Sequence, residues 1–386
     1  MRARNGNIKF EATTGTETFD FSALDRLSGP NGIGFGIDYI NPGGRDRVVG
    51  TSFDDSFTLS ADAETIDGRG GVDTVIYQNS TAGVRVNLNT TVQNGGFAAG
   101  DQLTGVENVT GSQSHGDSLI GNSFANILNG LGGNDTISGG GGTDTLTGGE
   151  GNDTLNGGID GYDDMVSGGA GIDTVSYATS RDMTITLGEN GAGGTGVINQ
   201  SSVPAVVEDR LFDIENVLGG QGNDTIIGNS QNNRLEGGAG TDTIDGGSGD
   251  DIIIGGFGQD FMAGGSGADV FVFRDGDFLP TVTTAEGWTS YTPDGIRDFE
   301  RGVDMIDLRG YDANTQIGGD QAFNVTTEFT NNAGELTVMR TYVFSRGDIT
   351  TTTDLWGGDT NGDGLADFNF SVSRQQSTLT SSDFLL

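Results

Sequence analysis

Along residues 219–272 one apolar side chain returns at every ninth position, and nearly everything between is glycine or polar. The stretch divides without gaps into GGQGNDTII, GNSQNNRLE, GGAGTDTID, GGSGDDIII, GGFGQDFMA and GGSGADVFV. The eighth positions are Ile226, Leu235, Ile244, Ile253, Met262 and Phe271; the sixth are Asp224, Asn233, Asp242, Asp251, Asp260 and Asp269. This spacing fits neither an amphipathic helix nor one long alternating strand. It predicts a short strand around each eighth position and a tight turn wherever glycines permit positive φ. Two nonapeptides then make one coil of turn, strand, turn, strand. Stacked coils bury the eighth-position side chains between two short parallel sheets.

A second array runs from about Gly111 to Ser176. It contains GNSFANILN, GLGGNDTIS, GGGGTDTLT, GGEGNDTLN, the eleven-residue variant GGIDGYDDMVS, and GGAGIDTVS. Isolated copies stand at Gly50 (GTSFDDSFT) and Gly68 (GRGGVDTVI). A longer duplication lies over this one: GGVDTVIY resembles AGIDTVSY, and GDQLTGVENVTGS resembles EDRLFDIENVLGG. Strand-like alternation fills the intervals, as in VRVNLN from Val84 and MTITLG from Met183. From about Phe273 aromatic and longer apolar segments predict a strand-rich cover for the exposed end of the stack. The chain thus divides into a strand-rich segment at 1–49, a partial repeat module at 50–110, and array one at 111–176. A strand-rich insertion at 177–218, array two at 219–272 and a β-rich cap at 273–386 follow. The fold class expected is all-β, with parallel β-roll or β-helix arrays.

Composition sharpens the chemistry. Of 55 acidic residues 42 are Asp and 13 Glu, against 18 Lys and Arg, for a formal net charge of -37. Such a charge disfavours nucleic acid and anionic membrane and favours cations. It also suits a disordered acidic chain; the periodicity decides for a fold. With no Cys there is no disulfide or thiolate metal site. No apolar run is long enough to span a membrane as a helix, so membrane insertion is not expected. The basic N-terminus lacks the apolar core of a Sec signal peptide.

The sixth position explains how so glycine-rich a repeat can hold together. Two buried aliphatic side chains per coil cannot offset the ordering entropy of eighteen residues. Equivalent positions stack 18 residues apart, so Asp224, Asp242 and Asp260 form one column and Asn233, Asp251 and Asp269 the other. In the first array Asp135 lies beneath Asp153, and Asn126 beneath Asp144. Carboxylates about 4.8 Å apart repel unless a cation lies between them. Oxygen ligands on a flexible turn, with carbonyls nearby, suit Ca²⁺ rather than Zn²⁺ or Cu²⁺. The candidate ligands are Asp117, Asp135, Asp144, Asp153, Asp164, Asp173, Asp224, Asp242, Asp251, Asp260 and Asp269, with several ions per chain.

These nonapeptides resemble the RTX, or haemolysin-type calcium-binding, family over roughly 120 residues. The tail segments ADVFVFRDGD, IRDFERGVDMIDLRGYD and SSDFLL resemble the C-terminal domain of serralysin-type secreted proteases. That resemblance implies a type I secretion apparatus as partner, an uncleaved export signal at Asp383, Phe384, Leu385 and Leu386, and an extracellular or cell-surface location. A chain unfolded at low cytosolic calcium could thread an exporter and fold outside.

Other candidates are weaker. DTNGDGLAD resembles a truncated EF-hand loop with Asp359, Asn361, Asp363 and Asp367 as ligands; the alternative is a polar turn between strands. His115 is the sole histidine, without an H-E-x-x-H motif, and reads as a surface turn residue. Paired acids such as Asp54–Asp55 and Asp163–Asp164 sit in repeat turns, where metal ligation accounts for them better than glycosidase chemistry. Trp288 and Trp356 suit cap packing better than a ligand platform. Strand segments 77–110 and 177–218 could contact cell-surface or extracellular polysaccharide, though aromatics are scarce there. The sequence therefore points to a secreted calcium-binding protein that is not an enzyme, with a surface, matrix, adhesion or host-interaction role. The alternative is the calcium-binding and secretion part of an extracellular protease, lipase or epimerase.

Overall fold

A computed structural model describes residues 3–4, 7–27, 36–179, 181–189, 193–198, 206–274, 277, 293–311, 322–328, 330, 332–346, 349–362, 366–374 and 379–386. Among them every regular element is a β-strand, apart from three short 3₁₀ turns. The chain divides into two compact units. One comprises Met1–Val175 with Val207–Ile214, the other Ser176–Val206 with Glu215–Leu386. The six segments expected from sequence are thus gathered into two units, and the boundary cuts inside the expected insertion.

In the first unit the strands Ile37–Ile40, Ser56–Thr58, Thr74–Ile76, Asn108–Thr110, Ile127–Gly132, Thr145–Glu150 and Asp164–Ala170 pair in parallel, each on the one before. Facing strands form two successive parallel ladders. The earlier joins Thr18–Asp20, Arg47–Val49, Thr65–Asp67 and Gln102–Thr104. The later joins Arg85–Asn87, Ser118–Ile120, Thr136–Gly140 and Thr154–Gly158. The copies at Gly50 and Gly68 are therefore not isolated. They belong to a regular stack that is already in register at Ile37. Neither copy opens with the GG pair at its first two positions that makes the later copies visible in sequence.

The second unit repeats the plan. Asn216–Gly220, Arg234–Gly240, Ile252–Gly258, Val270–Arg274 and Met305–Gly310 make one parallel ladder, closed by Phe384–Leu385. Met183–Thr186, Thr225–Ile227, Thr243–Asp245, Phe261–Ala263, Asp294–Ile296 and Phe368–Arg374 make the other. The last of these continues into antiparallel pairing with Ile349–Asp359, and that strand with Glu335–Arg346. This β-rich end carries the aromatics: Tyr311, Phe323 and Phe368 cluster, Phe273 stacks on Phe370, and Trp356 meets Phe384 edge-on.

The core follows the nine-residue rule. Leu128, Ile137, Leu146, Leu155, Val166 and Val175 are fully buried in one unit; Ile226, Leu235, Ile244, Ile253, Met262 and Phe271 are buried in the other. Their flanking residues in each strand are partly exposed, except the buried Ile254, as alternation along a short strand requires.

Candidate metal centre

The repeat GGEGNDTLN shows how a turn is built. Gly149 and Gly151 have φ of 120° and 127°, conformations that side chains resist, and they fold the chain tightly enough to bring Asp153 back over Gly148. Asp153 is buried, and its Oδ1 accepts the backbone N–H of Asp135 at 2.7 Å. Its Oδ2 has no hydrogen-bond partner. A Cβ on Gly148 would lie 2.1 Å from that oxygen and 2.6 Å from the carbonyl oxygen of Gly168. Two oxygens therefore converge where only glycine leaves room, with no donor between them.

The arrangement recurs. Each column is a ladder in which one sixth-position carboxylate accepts the N–H of the equivalent residue one coil earlier. Asp117, Asp135, Asp153 and Asp173 form one ladder, and Asn126, Asp144 and Asp164 another. In the second unit Asp224, Asp242, Asp260 and Asp294 form one, and Asn233, Asp251, Asp269 and Asp304 the other. Among the described residues the second oxygen is buried and lacks a partner at Asp73, Asp135, Asp144, Asp153, Asp224, Asp242, Asp251, Asp260 and Asp269. Burial without a countercharge pushes Asp135, Asp144, Asp242, Asp251 and Asp260 up to about 7 and Asp73 up to about 8.

One backbone feature is common to these positions and is shared by Asp173, which Gly169 precedes with φ of 108°. Four residues before each stands a residue of positive φ: Arg69, Leu131, Gly140, Gly149, Gly220, Gly238, Gly247, Gly256 and Gly265. Where that turn is not left-handed, its N–H reaches the second carboxylate oxygen of an Asp or the single amide oxygen of an Asn. Thr51 donates to Asp55, Asn122 to Asn126, Asn229 to Asn233 and Glu300 to Asp304, all at 2.6–2.9 Å. Ser112 does the same for Asp117 at 2.6 Å. Asp117 was expected to be a ligand on the same footing as Asp135. Instead its oxygens are taken by the N–H groups of Val84 and Ser112 and by the Ser112 hydroxyl.

A third way of satisfying a buried acid occurs near the start of the first unit. Tyr39 donates to Asp46, and Tyr77 donates to Asp101 at 2.8 Å. Between them Glu64 receives Asn41 and Ser60 on one oxygen; burial, with Asp101 alongside, pushes this acid well above the usual carboxylate range.

The remaining expected ligands divide. Asp164 and Asp173 sit in the ladders, and Asp164 shares the space above Gly157 with Asp209, whose oxygen lies 2.4 Å from the Cβ position. Asp209 escaped the sequence reading because no glycine turn precedes it. Asp294 and Asp304 escaped because no GG pair opens their turns, although each keeps the D-x-I spacing of sixth and eighth positions. In the EF-hand-like loop Asn361 donates to Asp367, Thr360 holds the other Asp367 oxygen, and Asp359 accepts the N–H groups of Asn361 and Gly362. These bonds make a closed polar turn; Asp363 lies outside the described residues. His115 is exposed on its turn.

The model of the RTX calcium-binding nonapeptide repeat matches four times, at residues 43–75, 120–155, 218–253 and 236–271. The chain carries RTX calcium-binding repeats. Calcium is the ion of these turns, several to the chain, and the oxygen-only cradles fit it. No curated protein matches. Among solved structures the RTX chain is similar to the solution structure of the AlgE6R3 subunit of the Azotobacter vinelandii mannuronan C5-epimerase. Identity is 22%, the TM-score is 0.26, and the match covers 44% of this chain and 77% of that one. The first family match includes the stack around Gly50 and Gly68. No helix among the described residues is long and apolar enough to cross a membrane.

Proposed function

We propose that this RTX chain is a secreted, non-catalytic protein that folds when calcium fills the open turns. It then serves at or beyond the cell surface as a matrix, adhesion or host-interaction component. The observation carrying this reading is the set of buried carboxylate oxygens in the repeat turns that no donor among the described residues reaches. A fold built this way is unfavourable without cations and favourable with them, because each bound ion adds its binding free energy to folding. Calcium would sit between each bare Oδ2 and the turn carbonyls of the first-position glycines, with Asp73, Asp135, Asp144, Asp153, Asp224, Asp242, Asp251, Asp260 and Asp269 as its carboxylate ligands.

Export before folding follows from the same switch and is supported by the tail, whose export-signal resemblance ends in a short strand with Phe384 buried and Leu385 half-buried once folded. Phe384 pairs along Met305–Gly310, and Asp383 meets Arg301 at 3.4 Å. A far-UV circular dichroism titration of the purified chain tests the reading. A cooperative coil-to-β transition with calcium above cytosolic levels, absent with magnesium, is expected. A β-rich signal that persists after exhaustive chelation would overturn it.

A further inference from the structure

We infer that the column Asp46, Glu64 and Asp101 is closed by a proton, shared between Glu64 and Asp101, where the later coils of the first unit use calcium, and that this makes the early coils sensitive to alkaline pH. The three acids stand just before the strands Arg47–Val49, Thr65–Asp67 and Gln102–Thr104, which stack in parallel.

Side chains shut calcium out of this column. At each open turn the residue five places before the Asp is glycine, and a Cβ there would lie 1.9–2.6 Å from the bare oxygen. Before Asp46 that place belongs to Asn41, and before Glu64 to the buried Leu59. The space that glycine leaves for an ion is therefore filled. Side-chain donors take over the ion's work. Tyr39 donates to Asp46, and Tyr77 donates to Asp101 at 2.8 Å. The Asn41 amide and the Ser60 hydroxyl donate to one Glu64 oxygen at 2.8 and 3.0 Å. The Glu64 N–H donates to the remaining Asp101 oxygen at 2.8 Å.

One atom is left over. Glu64 and Asp101 are 1% and 0% exposed, and their carboxyls lie within hydrogen-bond reach of each other. The second Glu64 oxygen meets no donor among the described residues. Two buried carboxylates in contact repel, and one proton on Glu64, given to Asp101, turns that repulsion into a hydrogen bond. The charged groups around the pair are acids as well: Asp62 on the same turn, Asp46 at Tyr39, and Glu17 further along the column. All of them favour keeping the proton. The folded pair thus holds a proton that the unfolded chain releases near the ordinary Glu value. Its contribution to stability falls as pH rises beyond that value, until the folded pair loses the proton too.

Infrared spectra of the calcium-loaded full chain at about pH 8, where ordinary carboxyls are ionised, read the proton directly. The difference between the unaltered chain and Glu64→Gln is expected to show a protonated-carboxyl band, about one per chain, that shifts in heavy water. Gln keeps a donor toward Asp101, so the variant should fold in calcium and bind the same number of ions. Its melting temperature should fall less than that of the unaltered chain between about pH 8 and about pH 10. Absence of the band, or an unchanged pH dependence in the variant, would overturn the proposal. So would failure of the variant to fold in calcium. Loss of one calcium ion from the variant would show that a cation, not a proton, joins the pair.

Discussion

Asp153 and Asp117 carry the same group at the same repeat position, yet replacing each by Asn should act in opposite directions. Asp153 keeps an oxygen that nothing in the chain satisfies, whereas Asp117 has donors on both. Asp153→Asn should lower the number of calcium ions bound and make the chelated chain more stable, by about 1–3 kcal/mol, because a buried charge is removed. Asp117→Asn should leave calcium stoichiometry unchanged and cost about 1–3 kcal/mol, because its amide would face the Ser112 N–H. Calorimetric calcium titration and chemical denaturation of the two variants check both signs. Leu131 provides a different test. It holds φ of 74° where its counterparts other than Arg69 are glycine. Leu131→Gly should raise stability in calcium by about 0.5–1 kcal/mol, the relief of left-handed strain exceeding the entropy glycine adds to the unfolded chain.

At the scale of the turn, two ladders run side by side in opposite directions. The sixth-position carboxylates reach back to the preceding coil. The fifth-position side chains reach forward: Asn134 accepts the Asn152 N–H, Asn152 accepts that of Ile172, and Asn223 accepts that of Thr241. Removing one rung of the second ladder with Asn152→Ala should cost about 1 kcal/mol in calcium without changing ion stoichiometry, as thermal melts would show. The period, the eighth-position core and the sixth-position columns were legible in the sequence because glycine, Asp and aliphatic residues recur at fixed spacing. The fifth-position ladder was not, since Asn, Asp, Thr and Ala all occur there and only the Asx residues contribute. The difference between open and closed turns was hidden for a related reason. It depends on the sign of one backbone angle, and Arg69 and Leu131 adopt positive φ without being glycine. The early coils around Val48 and Ile66 were hidden because their turns do not open with GG, though their buried residues keep the period.

For the whole molecule the open turns tie folding to both calcium and protons. Asp135, Asp144, Asp242, Asp251 and Asp260 are pushed up to about 7, against 3.8 for an ordinary Asp. Between those values the calcium-free folded chain binds more protons than the unfolded chain. Its stability therefore falls as pH rises from about 4 to about 7 and grows on acidification. In calcium the order reverses, since protons compete with the ion for the same oxygens. Thermal melts at pH 5 and pH 7.5, with chelator and with calcium, should show opposite pH dependence.

The central claim is that calcium occupies the turns whose Asp lacks a backbone donor and passes over those that have one. Anomalous diffraction from crystals of the calcium-loaded chain tests it directly. Peaks are expected beside the Oδ2 of Asp135, Asp144, Asp153, Asp242 and Asp251, above the first-position glycines, and none beside Asp117, Asn126 or Asn233. Peaks of equal height at the closed turns, or none at the open ones, would contradict the account.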